Sequence, residues 1–153
     1  MKVGMAVGLV TLVIAVGPVS GQEKRIKRSD LPPAVERTVA AASQGATITG
    51  FSEEREKGQV FYEAEMTVQG RNKDVLMDGN GAVVEVEEEV ALAALPAAVR
   101  AGLTAKAGSG KIQKVESITK HDQLVAYEAH VLTDGKQSEV QVGPDGKPLD
   151  HEE

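Results

Sequence analysis

One stretch of this chain occurs twice. Leu31-Pro32-Pro33-Ala34-Val35 returns 64 residues later as Leu95-Pro96-Ala97-Ala98-Val99. The residues after each copy also match, now at an offset of 65. Tyr62-Glu63-Ala64 returns as Tyr127-Glu128-Ala129, Gly70 as Gly135, Val75 as Val140, and the turn Asn80-Gly81 as Asp145-Gly146. Self-similarity at this period reads as one supersecondary unit used twice, with one residue inserted in the second copy. The units span 31–89 and 90–153. A unit of about 60 residues buries only a small core on its own, so the two are expected to pack together.

Each unit reads as a helix followed by strands. The prolines suit a first helical turn, where a missing N–H is not needed, and Asp30 is placed to cap the first helix. Val35, Val39 and Ala42 share one face at spacings of four and three, and Gly45 stops the helix. The second helix runs from Leu95 to about Ala107, with Val99 and Leu103 inward and Gly108 as its stop. Four strand-like segments come next in each unit: about 47–55, 59–69, 72–78 and 82–88, then 111–120, 124–133, 137–142 and 147–150. Glycine-containing turns separate them, as in an antiparallel meander. The expected fold is therefore α+β, a tandem duplication in which each unit packs an N-terminal helix on a four-stranded antiparallel β-meander.

The middle hairpin gives a register. With Gly70-Arg71 as a two-residue turn, Met66 faces Val75 and Ala64 faces Met77; in the second unit Val131 faces Val140 and Ala129 faces Val142. Apolar pairs then fall on one face in both copies, and that face takes the helix. The opposite face carries Phe61, Glu63, Glu65 and Thr67, and in the second unit Ala126, Glu128, His130 and Leu132. The first strand resists this treatment, because Ile48 and Phe51 cannot both face inward on a regular strand.

The N-terminus reads as a targeting segment. Lys2 precedes an apolar run from Val3 to Val16, which is too short for a typical span; Pro18 breaks it, and Val19-Ser20-Gly21 supplies small residues for cleavage. Residues 1–21 are thus expected to be a signal peptide, with a retained N-terminal anchor as the alternative. The mature protein would be periplasmic or secreted, with no stable membrane span after cleavage. Residues 22–30 form a polar arm with a basic cluster, Lys24 to Arg28, read as a solvated leader or a contact for an anionic surface. The chain contains no cysteine, which removes disulfides, thiolate catalysis and cysteine-ligated metals. Residues 31–89 hold 12 acidic and 5 basic side chains, and 90–153 hold 9 and 7. That balance argues against nucleic acid and allows a basic protein partner or a cation.

Order and repetition of these motifs carry a resemblance. A signal peptide followed by two copies of a Leu-Pro-x-Ala-Val helix, a meander, a Tyr-Glu-Ala strand and an [Asn/Asp]-Gly turn resembles the exported PepSY-like, or β-lactamase-inhibitor-protein-like, proteins, over about residues 26–153. The resemblance implies a tandem of helix-on-sheet units with no known catalytic residues; no cofactor is expected. It also implies a role in restraining peptidases or other enzymes through the sheet surface.

Other motifs support less. Gly108-Ser109-Gly110-Lys111 lacks the first glycine and the final Ser/Thr of a phosphate loop and comes after a helix. Asp78-Gly79-Asn80-Gly81 with Glu87 is similar to part of a calcium loop, but Leu76 stands at its first ligand position. Glu128 and His130 lie two apart on one strand face and are able to share a metal, with Glu139 and Gln141 close on the paired strand. Glu85 to Glu89 reads as a solvated edge strand whose charges discourage pairing. The expected function is a non-enzymatic binding module. Its partner would be an extracytoplasmic protein, met at Phe61, Glu63, Glu65, Glu128, His130 and Leu132. The alternative is a cation- or small-ligand-binding envelope protein.

Overall fold

The computed structural model describes residues 23–153, so the expected signal peptide lies outside the described residues. Among the described residues the protein is α+β, with two α-helices and one eight-stranded antiparallel sheet whose strands follow chain order. The strands are β1 (Lys24–Arg25), β2 (Thr47–Glu56), β3 (Gln59–Val68), β4 (Arg71–Asp78), β5 (Val83–Glu89), β6 (Lys111–Lys120), β7 (Gln123–Thr133) and β8 (Lys136–Val142). Helix α1 (Pro33–Ala42) precedes β2 and helix α2 (Ala97–Ala107) precedes β6.

Four hairpins close through two-residue turns with both central φ angles positive: Lys57-Gly58, Gln69-Gly70, His121-Asp122 and Asp134-Gly135. This is the twist-matched hairpin geometry. It corrects the expected turn by one residue and the register by two. Ala64 pairs with Val75, Met66 with Lys73, Ala129 with Val140 and Val131 with Ser138. A shift of two leaves every side chain on its face, so the assignment of inward residues survives the error.

The helix-facing side holds two apolar clusters. Under α1 lie Leu31, Val35, Val39, Phe51, Ala64, Met66, Val75 and Met77. Under α2 lie Leu95, Val99, Leu103, Val115, Ala129, Val131 and Val142. A bulge in β2 after Ile48 lets both Ile48 and Phe51 reach the core, and β6 repeats it after Ile112. The inserted residue also finds its place: a second irregularity pairs Ile118 with Ala126 but Thr119 with Leu124, so β7 accommodates Val125 as an extra residue. Asn80-Gly81 and Asp145-Gly146 fold back against the helices. A Cβ on Gly81 would lie 2.6 Å from the Ala34 carbonyl oxygen, and one on Gly146 would lie 2.3 Å from that of Ala98. Thr38 Oγ1 donates to the Gly81 carbonyl at 2.6 Å. At the matching site Gly102, a side chain would collide with the Gly146 carbonyl.

Several expectations are corrected. The two meanders are not separate, because β5 pairs with β6 from Glu85↔Lys120 to Glu89↔Glu116; the supposed solvated edge is central. The opposite charges of Glu85 and Lys120, with the Nζ 3.7 Å from a carboxylate oxygen, favour that pairing. Residues 147–150 form no strand. Gly143 N–H bonds to the Lys147 carbonyl in a turn, and Pro148 has no N–H to offer a ladder. Asp30 does not cap α1. It ends a 3₁₀ turn and accepts from Lys27 N–H at 3.0 Å, while Pro32 stands at the helix N-cap. The basic arm is docked rather than free: β1 pairs with β2, Arg25 ion-pairs with Glu65, and Arg28 with Glu36 at 2.7 Å.

Candidate functional site: the helix-free sheet face

Alternation along each strand sends one set of side chains away from the helices. In the Tyr-Glu-Ala repeat, Tyr62, Ala64, Tyr127 and Ala129 pack toward the helices, and Glu63 and Glu128 point to the other side. Register then extends that face across the sheet. Glu63 and Glu65 of β3 stand beside Leu76 and Asp74 of β4, which stand beside Glu85 and Glu87 of β5. Glu85 and Glu87 meet Lys120 and Ile118 of β6; Glu116 and Lys114 of β6 meet Glu128 and His130 of β7; Gln141 and Glu139 of β8 complete the row.

These carboxylates are crowded and poorly hydrated. Glu63 is 7% exposed, Glu116 2% and Glu128 9%. Burial pushes the Glu63 carboxyl up to about 8, against the Ser52 hydroxyl that donates to it at 2.8 Å; Asp74, Glu54 and Glu65 push the same way as burial. Burial raises Asp74 to about 6, with Glu116 and Glu65 adding to it. Glu87 is raised to about 9 by burial and by Glu85, Glu116 and Glu128. Burial likewise raises Glu54, Glu128 and Glu139. Glu116 is instead held below the usual range: burial opposes it, but hydrogen bonds from His130 and Lys114 outweigh burial. A desolvated carboxylate surrounded by others is costly to ionise. Burial therefore favours the protonated carboxyl at Glu63 and Glu87 near neutral pH.

The six residues expected from the sequence all lie on this face, but they form two groups rather than one. Glu63 and Glu65 are on β3 and Glu128 and His130 on β7, four strands over, or roughly 19 Å at the usual strand spacing. Phe61 lies at one end, in an open groove of about 540 Å³ shared with Leu76, Val84, Asp78, Glu85 and Lys120. Leu132 is half-buried near the opposite edge, in register with Lys111 and Gln137. Glu65 is engaged by Arg25 and Glu128 by Gln141, whose Nε2 donates at 2.7 Å. Sequence reasoning misses Asp74, Lys114 and Glu116, which bridge the groups, because they come together only through β5–β6 pairing. The repeat contains a signal for Glu116: it stands 64 residues after Ser52, the partner of Glu63, as Glu128 stands 65 after Glu63.

The calcium-loop reading of Asp78, Asn80 and Glu87 fails geometrically. Asp78 Oδ1 accepts from the Asn80 and Ala82 N–H groups, both at 2.9 Å, and so builds its own turn. Glu87 sits opposite Asp74, four residues along β4. Among the described residues no helix is long and apolar enough to cross a membrane.

No family model and no curated protein sequence matches the chain. Solved structures do resemble it. A BLIP-like protein from Bacteroides fragilis matches with a TM-score of 0.58 at 21% identity, over 78% of this chain and 83% of that one. A candidate periplasmic protein from Bacteroides eggerthii matches with a TM-score of 0.64 at 18% identity, over 78% and 86%. A DUF2874 family protein from Bacteroides ovatus matches with a TM-score of 0.61 at 19% identity, over 78% and 86%. At these identities the likeness establishes a BLIP-like fold.

Proposed function

We propose that this protein is an exported, non-catalytic binding module that takes a basic segment of an extracytoplasmic protein on its helix-free sheet face. In this reading it restrains that partner, which is a peptidase or another envelope enzyme. The single observation behind it is the continuous row of desolvated carboxylates from Glu63 to Glu139, with Lys114, Lys120 and Arg25 its few cations. A lysine- or arginine-rich segment laid along the row would let these groups ionise, so binding energy and proton release are coupled. The groove at Phe61 and Leu76 offers an apolar anchor at one end of the row. Export and a periplasmic location rest on the apolar N-terminus and on the description of the eggerthii neighbour. The two matched units, 31–89 and 90–153, are proposed as a duplication whose joined sheets make the face long enough for an extended segment.

The test is fluorescence anisotropy of the purified protein with a labelled ten-residue Lys/Arg peptide and with an acidic peptide of equal length. Phe61→Ala with Glu65→Gln is the disabling variant. Glu63 is left intact in it, because a charge reversal at a position so buried would threaten folding. The reading expects the basic peptide alone to bind, more tightly at pH 8 than at pH 6, and the double variant to lose that binding while its melting curve stays cooperative. Equal binding of the acidic peptide, or an unaffected double variant, removes the sheet face as the site. Crosslinking in the native envelope then identifies the partner.

A further inference from the structure

Within the acidic row one cluster differs in kind. His130 Nε2 lies 2.8 Å from Glu116 Oε2 and 3.4 Å from Glu128 Oε1. These three side chains have donor atoms within 4.8 Å of one another. The atoms turned away from this point are each held from outside. Lys114 Nζ donates to Glu116 Oε1 at 2.7 Å, Gln141 Nε2 donates to Glu128 Oε2 at 2.7 Å, and His130 Nδ1 lies 3.4 Å from Glu139 Oε1. Gln141 is itself fixed by the Glu153 N–H, 2.8 Å from its Oε1.

We propose that Glu116 Oε2, Glu128 Oε1 and His130 Nε2 form a three-ligand site for a divalent transition metal, with Zn²⁺ the ion it fits. Each feature follows from coordination chemistry. An imidazole with two carboxylates selects zinc-like ions over calcium and magnesium, which prefer oxygen alone. Three protein ligands leave a fourth position for water or a bound group. Ligands about 2.0–2.1 Å from a tetrahedral ion stand roughly 3.3 Å apart. The His130–Glu128 separation already matches, and the His130–Glu116 separation needs to open by about half an ångström. The outer contacts are those that orient ligands in metal sites, above all a carboxylate on the far nitrogen of the histidine. Two carboxylates and one neutral imidazole also balance the charge of the ion. The ligands sit on adjacent strands β6 and β7, so the ladder fixes their spacing.

The other acidic groupings do not qualify. Glu23, Glu63 and Glu65 contain no imidazole, and Glu65 is taken by Arg25. Asp74, Glu87 and Glu116 also lack one.

The inference does not depend on the peptide-binding reading, since its test needs no partner. The purified protein is titrated with Zn²⁺, Ca²⁺ and Mg²⁺ by calorimetry, and its melting temperature is recorded with each. One equivalent of Zn²⁺ is expected to bind and to raise the melting temperature, with Ca²⁺ and Mg²⁺ far weaker. His130→Gln and Glu128→Gln should each abolish the saturable heat. Glu139→Gln should weaken zinc binding about 10–100-fold through loss of ligand orientation. A double His121→Asn, His151→Asn variant should bind as the parent does. Either of two results overturns the proposal: no saturable zinc binding by the parent, or undiminished binding by a folded His130→Gln or Glu128→Gln protein. Loss of peptide binding with zinc binding intact refutes only the partner reading.

Discussion

Replacing Glu63 by Gln should make this protein more stable, and the gain should grow with pH. Glu63 is 7% exposed, its carboxyl is pushed up to about 8 by burial, and its ordinary value is 4.5. The folded state thus keeps a proton that the unfolded chain has released at neutral pH. For a group raised in this way, the stabilising contribution is complete below about 4.5 and is lost as pH rises through about 8. The separation between those values corresponds to on the order of 5 kcal/mol. Water drawn in around an ionised carboxylate reduces the penalty, so roughly 2–3 kcal/mol is the expected measurable part. Gln is uncharged at every pH and keeps the acceptor oxygen for the Ser52 hydroxyl, now 2.8 Å away. Urea denaturation of parent and variant at pH 5, 7 and 9 reads the effect directly. The two should agree within about 1 kcal/mol at pH 5, and the variant should lead by about 2 kcal/mol or more at pH 9. Asp74, raised to about 6, and Glu87, raised to about 9, act in the same direction, so the parent should itself weaken from pH 6 to pH 9. A variant no more stable than the parent at pH 9 would refute the idea that burial sets the protonation of this face.

Two further outcomes test the scaffold. Gly146→Ala should destabilise by at least about 1–3 kcal/mol in thermal or urea unfolding, since φ is +80° there and the new methyl meets the Ala98 carbonyl. An unchanged midpoint would mean the turn does not clasp α2. Leu103→Ala, at a fully buried position of the second cluster, should cost about 2–5 kcal/mol; a loss under about 1 kcal/mol would show that the core under α2 is loosely packed.

The repeat makes most of the local structure legible. Periodicities of 3.6 and 2 place both helices and seven strands within a few residues, and parity alone puts Ala64, Met66, Ala129 and Val131 in the core. Parity is robust because it survives an even slip. The hairpin register inferred from sequence is two residues off for that reason: the turns are Gln69-Gly70 and Asp134-Gly135, and both registers bury the same face. Alternation within single strands likewise assigns Phe61, Glu63, Glu65, Glu128, His130 and Leu132 to the correct side of the sheet.

What a strand does across the sheet is not legible. The acidic run Glu85 to Glu89 looks like a solvated edge, because charge along a strand reports solvent exposure only when no oppositely charged neighbour arrives. Lys120 arrives from 35 residues away, and β5 becomes the centre of one sheet. The same long-range pairing brings Asp74 and Glu87 of the first unit beside Glu116 of the second, which joins the carboxylates of the two halves into one desolvated row. Local sequence therefore determined which residues face away from the helices, since that follows from backbone geometry within one strand. Tertiary structure alone decided which of them meet and which keep their protons, since distance and dielectric depend on strands remote in the chain.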